Sequence, residues 1–185
     1  MITTRSELRR VVKLEKELYL GGLKKMLELI IVNDKDWQIY HFQQALRHAE
    51  YHYNNRSVLI HKLLYVYYRR KKNTLGFRLG IEIWENSFEP GLRIWHAGAI
   101  VVNGYAKIGE NCQLRGGNCI GNNGESLDAP VIGSNVILGN GAKVIGKVKV
   151  ADDIVIGAGA VVVKSFEKPG DVIVGVPAKS LKKGV

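Results

Sequence analysis

The sequence is poor in cysteine and proline. It holds two cysteines, Cys112 and Cys119, and four prolines, all of which come after residue 76. Two cysteines with no further pair or histidine cluster beside them argue against a disulfide framework and against a zinc site. Long hydrophobic runs are also missing, because the longest aliphatic stretch, at residues 29–32, is far too short to cross a membrane.

An apolar leader is missing as well. Residues 1–10, MITTRSELRR, lack the apolar core of a signal peptide, so a cytoplasmic protein is expected. Positive charge is concentrated early: residues 1–75 hold 15 Lys+Arg and 7 Asp+Glu, whereas the remainder holds 12 and 10. This basic region is either a solvated helical face or a surface for an anionic partner. No motif indicates nucleic-acid binding.

Glycine divides the chain into two parts. Only Gly21 and Gly22, of 21 glycines, precede residue 76. Because glycine and proline are the strongest breakers of regular structure, the distribution predicts an α-helical domain over residues 1–75. A second domain of different character is predicted over residues 76–185.

Three helices are predicted in the first domain, over residues 7–20, 35–54 and 58–72. Ser6 and Ser57 precede the first and third of these segments, where each side chain can cap a helix. The third segment is rich in tyrosine and ends in a basic run. Its tyrosines indicate either a core or interface stripe or a face that lies on a membrane surface.

The second domain repeats with a period of six residues. The aliphatic residues at this spacing are Val102, Ile108, Leu114, Ile120, Ile132, Leu138, Val144, Val150, Ile156 and Val162. Small or β-branched residues often follow four positions later, and Cys112 occupies such a slot, which indicates a packed structural thiol. A six-residue period predicts a three-sided coil in which each unit supplies one short strand and one turn.

This repeat resembles the left-handed parallel β-helix of hexapeptide-repeat acyltransferases. The stretches VIGAGAVV at 155–162 and GVPAK at 175–179 look like the closing coils of that family, and the likeness covers residues 78–180. Within the family, the chain is most similar to serine acetyltransferases and to the related O-acetyltransferases of surface-polysaccharide loci. LRHAEYHYNN at 46–55, followed by residues 90–112, looks like the shorter, polysaccharide-type members. The predicted fold is therefore a mainly β chain, a left-handed β-helix preceded by α-helices.

His96 lies six residues before Val102, so the period predicts that it occupies an inward slot of the coil. A polar group at such a slot is costly unless it is hydrogen-bonded or used in chemistry. The resemblance implies that His96 is the catalytic base of an acetyl transfer. Where serine acetyltransferases have an aspartate directly before this histidine, the chain has Trp95. Glu82, or alternatively Glu89, is the candidate carboxylate that orients the imidazole.

The resemblance also implies the position of acetyl-CoA, in a groove between coils of neighbouring subunits of a homotrimer. Matching positions are Gly121, Asn122, Gly139, Asn140, Gly157 and Ala158, with Lys164, Lys179 and Lys182 as candidate phosphate partners. No metal is expected. Whether trimers pair into hexamers stays open.

The loop at residues 121–130 departs from the serine enzymes. Their Arg-His-Pro, which helps to bind the carboxylate of serine, is replaced by Asp128, Ala129 and Pro130. Loss of the cation disfavours serine, whereas Asn123 and Asp128 can hydrogen-bond a sugar hydroxyl. An equally ordinary interpretation of these polar residues is turn formation.

The expected function is acetyl-CoA-dependent O-acetylation of a hydroxyl acceptor, a sugar of a surface polysaccharide, with His96 as base. The alternative is serine O-acetylation in cysteine biosynthesis. N-acetylation of a nucleotide-linked amino sugar and a non-enzymatic scaffold also stay open. A metal-dependent hydratase with the same coil needs three histidines there, and the second domain has only His96.

Overall fold

The structure is a computed structural model, and it describes residues 1–181; Lys182, one of the candidate phosphate partners, lies outside them. Four helices precede a long series of short strands. The helices are α1 (Arg5–Leu20), α2 (Leu23–Ile31), α3 (Lys35–Asn54) and α4 (Leu59–Leu79). The strands are β1 (Ile81–Ile83), β2 (Arg93–Ile94), β3 (Ile100–Val102), β4 (Lys107–Ile108), β5 (Gln113–Leu114), β6 (Cys119–Gly121), β7 (Val131–Ile132), β8 (Ile137–Leu138), β9 (Lys143–Ile145), β10 (Lys149–Val150), β11 (Val155–Ile156), β12 (Val161–Val162), β13 (Val172–Val174) and β14 (Lys179–Ser180).

The helix ends differ from those predicted. Helix α1 is capped by Thr4 rather than Ser6, because the Thr4 hydroxyl accepts from the Glu7 N–H while the Glu7 carboxylate accepts from the Thr4 N–H. Helix α4 follows Val58, which offers no capping side chain, so the prediction for Ser57 was also wrong. Helix α4 continues through its basic run to Leu79, beyond the predicted domain boundary between residues 75 and 76. Helix α2 was not predicted.

Three sheets enclose the second part of the chain. The strand orders are β1-β3-β6-β9-β12 in the first sheet, β10-β7-β4 in the second and β14-β13-β11-β8-β5-β2 in the third. Successive strands from β3 to β12 visit the first, second and third sheets in rotation, and all their pairings are parallel. This confirms helices followed by a three-sided coil, and only the terminal β13–β14 pair is antiparallel.

The aliphatic six-residue positions fill the interior of the coil in register. In the third sheet, for example, Leu114, Leu138 and Ile156 stack directly on one another and are fully buried. The residues four positions later, such as Ala142 and Ala160, are also buried. Cys112 is among them, and burial raises the pKa of its thiol to about 11, so it is a packed group and not an activated nucleophile.

The helices share one continuous apolar core with the coil, through residues such as Tyr19 and Phe42. The Tyr19 hydroxyl accepts a hydrogen bond of 2.7 Å from the N–H of Ile94 in β2. Buried Arg47 of α3 joins Glu15 of α1 and also donates to the carbonyl of Phe88 at the start of the coil. Within the described residues, none of the helices has the length and apolarity that a membrane span requires.

Candidate active site

His96 does not occupy an inward slot of the coil, so that part of the sequence prediction was wrong. The inward residue of β2 is Ile94, which is fully buried and pairs with Leu114, whereas His96 is exposed. The imidazole therefore lies on the outside of the coil, at the corner between β2 of the third sheet and β3 of the first. An exposed imidazole needs no buried partner and is accessible to a substrate.

A local change of period explains this displacement. The inward residues that flank the later corners, such as Leu114 and Ile120, are six positions apart, whereas Ile94 and Val102 are eight apart. The corner that holds His96 is thus two residues longer than its equivalents. The extra length is accommodated by Gly98 and Ala99, which have positive φ angles of 101° and 50°. Such an angle is unusual for alanine and marks a tightly held turn.

The longer corner is stacked on the equivalent corners of the coils above it. We call this edge, residues 95–99, 115–118, 139–142 and 157–160, the His96 corner. Gly116 lies between His96 and Asn140: a Cβ added to Gly116 would be 3.1 Å from the His96 Cβ and 3.2 Å from the Asn140 Nδ2. A larger residue at this position would therefore displace the histidine.

Backbone hydrogen bonds tie the successive turns of the His96 corner together. The Gly117 N–H donates to the Gly98 carbonyl, and the Gly159 N–H donates to the Asn140 carbonyl. Four of the residues predicted to bind CoA, Gly139, Asn140, Gly157 and Ala158, lie along this edge. The structure thus brings them into one row with His96.

Asn118 is a site-forming residue that the sequence reasoning missed. Its side chain is buried inside the His96 corner, accepts from the Gly116 N–H at 3.0 Å and donates to the Gly139 carbonyl at 2.8 Å. It therefore holds two adjacent turns in register. The available signal was its position, four residues after Leu114, where the repeat normally has a small or β-branched residue.

Trp95 stands beside His96 in place of a carboxylate. Its indole N–H donates to the Gln113 side chain, and the guanidinium groups of Arg93 and Arg115 lie over its ring at 4.9 and 4.4 Å. Arg93 is paired with Asp36 at 2.7 Å. Arg115 takes part in none of the ion pairs between described residues, so it supplies an available positive charge at the His96 corner.

Glu82 lies on the outer side of the first sheet, opposite Val101 of β3, and its side chain is exposed. It lines a cleft of about 530 Å³ between α4 and the strands β1 and β3, together with Arg69 and Trp84. Glu89, the other candidate carboxylate, instead contacts the N-terminal ammonium group of Met1 at 3.3 Å. Among the hydrogen bonds between described side chains, none joins His96 to a carboxylate.

The remaining predicted residues lie at a different corner, where the first sheet passes into the second. Strand β6 ends at Gly121, and the loop that begins with Asn122 also contains Asn123 and Asp128. Its polar side chains largely bond each other: Asn122 donates to the Ser126 carbonyl, and Asn123 donates to the Glu125 carboxylate. Asp128 lies 3.4 Å from the ammonium group of exposed Lys147. A single chain therefore does not bring these residues to His96.

The two described candidate lysines are exposed on different sides of the coil. Lys179 lies in β14 and pairs with Val174, which in turn contacts Gly157 at the end of the His96 corner. Lys164 follows β12, and its ammonium group lies 5.6 Å from the Phe166 ring centroid. Residues 1–181 contain no cluster of three His, Cys, Asp or Glu side chains that could hold a metal ion.

Neither family models nor curated protein sequences matched this chain. Comparison with solved structures found serine acetyltransferases. The soybean enzyme complexed with serine is 23% identical over 96% of this chain and 69% of its own, with a TM-score of 0.72. The Neisseria gonorrhoeae enzyme is 24% identical over 98% and 69%, with a TM-score of 0.75. The Brucella abortus enzyme in complex with coenzyme A is 24% identical over 95% and 67%, with a TM-score of 0.69. The chain therefore has the fold of these serine acetyltransferases, helices included.

Proposed function

We propose that this protein is an acetyl-CoA-dependent O-acetyltransferase and that His96 is its general base. The observation that carries the proposal is the placement of His96 on an exposed, lengthened corner, beside a row of glycine, asparagine and alanine residues. The fold shared with serine acetyltransferases, one of them in complex with coenzyme A, supports the same conclusion.

The residues of the His96 corner fit a thin pantetheine arm. A Cβ added to Gly159 would meet no atom within 4 Å, and Ala158 is exposed, so an extended chain could lie directly against this backbone. Bound acetyl-CoA would supply an activated acetyl thioester. In the proposed assembly, Gly121, Asn122, Lys164 and Lys179 would contact the rest of the molecule.

His96 would act first as a base and then as an acid. A hydroxyl is a weak nucleophile at neutral pH, so His96 takes its proton as the oxygen attacks the acetyl carbonyl. Backbone N–H groups of the corner stabilise the developing oxyanion. His96 then returns the proton to the departing thiolate. Glu82 is the carboxylate that we assign to orienting the imidazole, because it lies on β1, the strand paired with β3 directly after the His96 turn.

L-Serine is the acceptor that the comparisons favour. The structural neighbours are serine acetyltransferases, and one of them was solved with serine bound. Arg115 adds a physical reason, because a serine carboxylate needs a cation and this guanidinium stands over Trp95 in the His96 corner. It could replace the arginine that the 121–130 loop lacks. The polysaccharide predicted from the sequence has no support from the comparisons.

A saccharide acceptor remains the second candidate. The observation in its favour is Asp128, an exposed carboxylate in the loop that would face a bound acceptor. Its contact with Lys147 is long and exposed, so it can be exchanged for a hydrogen bond to a hydroxyl group at little cost. Asp128 and Asn123 are the substrate-binding residues in this proposal.

We further propose a homotrimer of left-handed coils. The candidate residues occupy two separate corners of a three-sided coil, so Asn122 and Asp128 can meet His96 only if they come from a neighbouring copy. A closed threefold assembly makes the same contact three times and leaves no open end. Mass measurement by analytical ultracentrifugation tests this, and pairing of trimers would give twice that mass.

The decisive experiment is thiol release from acetyl-CoA with L-serine, and separately with a panel of sugars and oligosaccharides. His96→Ala should lower kcat/KM by about 10²–10⁴-fold, the usual contribution of a general base. His41→Ala, which removes a histidine of α3 outside the site, is the matched control. Full activity in His96→Ala would show that the imidazole is not the base.

Arg115 variants decide between the two acceptors. Arg115→Gln should raise the KM for L-serine about 10- to 100-fold, because it removes a charge-assisted hydrogen bond, while Arg115→Lys should be milder. The KM for an uncharged sugar should not change. If a sugar supports turnover and serine does not, the acceptor is a saccharide and Arg115 has another role.

A further inference from the structure

The cleft that Glu82 lines, between α4 and the strands β1 and β3, has an exposed apolar rim in a single chain. Phe77 is 92% exposed, more than any other large apolar side chain of the described residues, and Trp84 and Val101 are 44% and 45% exposed. Trp84 lies against Gly104, where an added Cβ would be 3.2 Å from the indole Cγ, so its ring forms a fixed wall. We call this space of about 530 Å³ the α4 cleft. Apolar groups so grouped on a monomer mark a contact surface.

The α4 cleft adjoins the turn that carries His96. The Leu79 carbonyl accepts from the Gly98 N–H at 2.8 Å, and the Gly80 carbonyl accepts from the Ile100 N–H at 2.9 Å. Gly80 and Ile100 themselves line the cleft. A group that fills the α4 cleft therefore lies directly beside the His96 corner.

The helical wall of the α4 cleft is positively charged. Helix α4 contains six Lys and Arg residues and no Asp or Glu. Lys72 is neutralised by Glu85 at 2.9 Å, whereas Arg69, which lines the cleft, takes part in none of the ion pairs between described residues. Glu82, the exposed carboxylate of the cleft, is assigned above to the imidazole. The cleft thus combines an apolar rim with an available guanidinium.

The 121–130 loop has the complementary composition. It carries Glu125 and Asp128 and no Lys or Arg, and Leu127 in the same loop is 67% exposed. Within one chain the loop leans away from the α4 cleft. Asp128 contacts Lys147, which follows β9, whereas the cleft lies at β1 and β3, on the other side of β6 in the first sheet. Leu127 is therefore available to the cleft of a neighbouring copy.

We infer that Leu127 of one copy is seated in the α4 cleft of the next copy and thereby anchors the 121–130 loop beside His96. The inference rests on the homotrimer proposed above, which brings Asn123 and Asp128 to the histidine of a neighbouring copy. It adds the contact that holds them there. A leucine buried against the aromatic rim and an acidic loop beside the guanidinium are both favourable.

The length of the loop and the symmetry of the assembly permit this contact. An extended chain spans about 3.4 Å per residue, so Leu127, three residues before Pro130, can reach about 10 Å beyond its own coil. The loop and the cleft are different surfaces of the chain, so the contact is head-to-tail. A threefold rotation closes such contacts into a ring in which every cleft is filled.

The test is an engineered disulfide between two chains. Phe77→Cys and Leu127→Cys are placed on separate chains that are produced together, each with Cys119→Ser to remove the partly exposed native thiol. Mild oxidation should give a disulfide-linked dimer on a non-reducing gel. Leu59→Cys with Leu127→Cys is the matched control, because Leu59 is 69% exposed on the same helix but does not line the cleft. It should not link, since a disulfide needs Cα atoms within about 7 Å.

A second measurement uses single substitutions in the otherwise unchanged chain. Leu127→Asp should raise the dissociation constant of the trimer about tenfold or more, because it places a charge in an apolar contact. Leu59→Asp should associate like wild type. Analytical ultracentrifugation measures the association, and circular dichroism checks that each variant is folded.

Two results would overturn the inference. One is a wild-type trimer in which Phe77→Cys and Leu127→Cys link no better than the control pair; the trimer would then stand, with its loop held elsewhere. The other is a wild-type protein that sediments as a monomer at high concentration, which refutes the proposed assembly as well. Neither measurement uses acetyl-CoA, so failure of the anchor is distinguishable from failure of the proposed acetyl transfer.

Discussion

The helices and the coil are stabilised in different ways. The coil has an apolar interior made of many equivalent layers, such as Leu114, Leu138 and Ile156, each supported by the next. The helices share this apolar core but add a buried charge cluster, in which Arg47 contacts both Glu15 and Glu50. Helix α2 has no buried residue at all.

A repeating segment and a non-repeating segment therefore differ in how much stability they lose when one residue is removed. Every layer of the coil repeats the same local rule, so no single layer is unique. The helical part depends on one buried cluster whose members must all be present, because an unpaired buried charge is costly. Removing one residue from the charge cluster should therefore lower the free energy of unfolding more than removing one side chain from a layer of the coil.

The largest effect is expected from Arg47→Met. It leaves Glu15 and Glu50 buried without their cation and removes the bonds from Arg47 to the carbonyls of Phe88 and Glu89. The free energy of unfolding should fall by about 3–5 kcal/mol, measured by urea denaturation. Arg10→Met, an exposed position of α1, should change it by less than about 0.5 kcal/mol. Equal effects of the two substitutions would refute the role of the cluster.

In the coil, Leu138→Ala should cost about 2–5 kcal/mol, because it removes a fully buried side chain between Leu114 and Ile156. The loss comes from a cavity and not from an exposed charge, so the variant should stay folded with a lower thermal midpoint. Calorimetry measures it. A loss below about 1 kcal/mol would mean that side chains of the neighbouring layers move to fill the cavity, so that the coil is not rigidly packed.

A smaller effect is expected from pH, and it should come from the helices alone. His52 packs against His61 and His48 with Tyr68 stacked on it, and burial holds its pKa at about 4, below the ordinary 6.5. The unfolded chain binds this proton first, so stability should fall as the pH drops from 6.5 towards 4, by up to about 1.4 kcal/mol per unit. Above pH 6.5 this group gives no slope.

His52→Phe provides the matching control, since a phenyl ring can keep the stack on Tyr68 without titrating. The pH dependence of its unfolding free energy should be flatter between pH 4 and 6.5 than that of wild type. If the two curves are parallel, the slope arises from other groups, such as His48, whose pKa is also lowered by burial.

The smallest effect is expected at Leu63, an exposed side chain of α4. Leu63 is exposed, so Leu63→Ala should change the free energy of unfolding in the absence of lipid by less than about 0.5 kcal/mol. Urea denaturation measures this beside Leu138→Ala. A loss near that of Leu138→Ala would show that Leu63 is covered in solution by another copy of the chain.

The coil could be predicted from the sequence because each inward position is specified again six residues later. The helices could be predicted only in outline: glycine marks Gly21–Gly22 as a break, but the choice of Thr4 over Ser6 as cap depends on the reciprocal bond to Glu7. Helix α2 was missed because it has only nine residues and begins after Gly22, which offers no capping side chain.

The register of His96 could not be extrapolated from the repeat. The period holds from Val102 onward, but two additional residues in the preceding corner shift everything upstream. The sequence pattern does not reveal such an insertion. Small residues follow both Ile94 and His96 within a few positions, so either residue fits the inward slot of the repeat. The partnership of Arg115 with Trp95 was likewise hidden, since it links residues that are neighbours only across adjacent coils.

The lengthened corner at His96 also says something about how this architecture can change. Strands β2 and β3 keep their pairing partners despite the extra residues, so length added at a corner is absorbed locally and does not propagate along the axis. In this sense the corners behave as independent sites for insertion and deletion, while the strands stay invariant. New chemistry can therefore be acquired by adding residues at an edge, without any redesign of the interior.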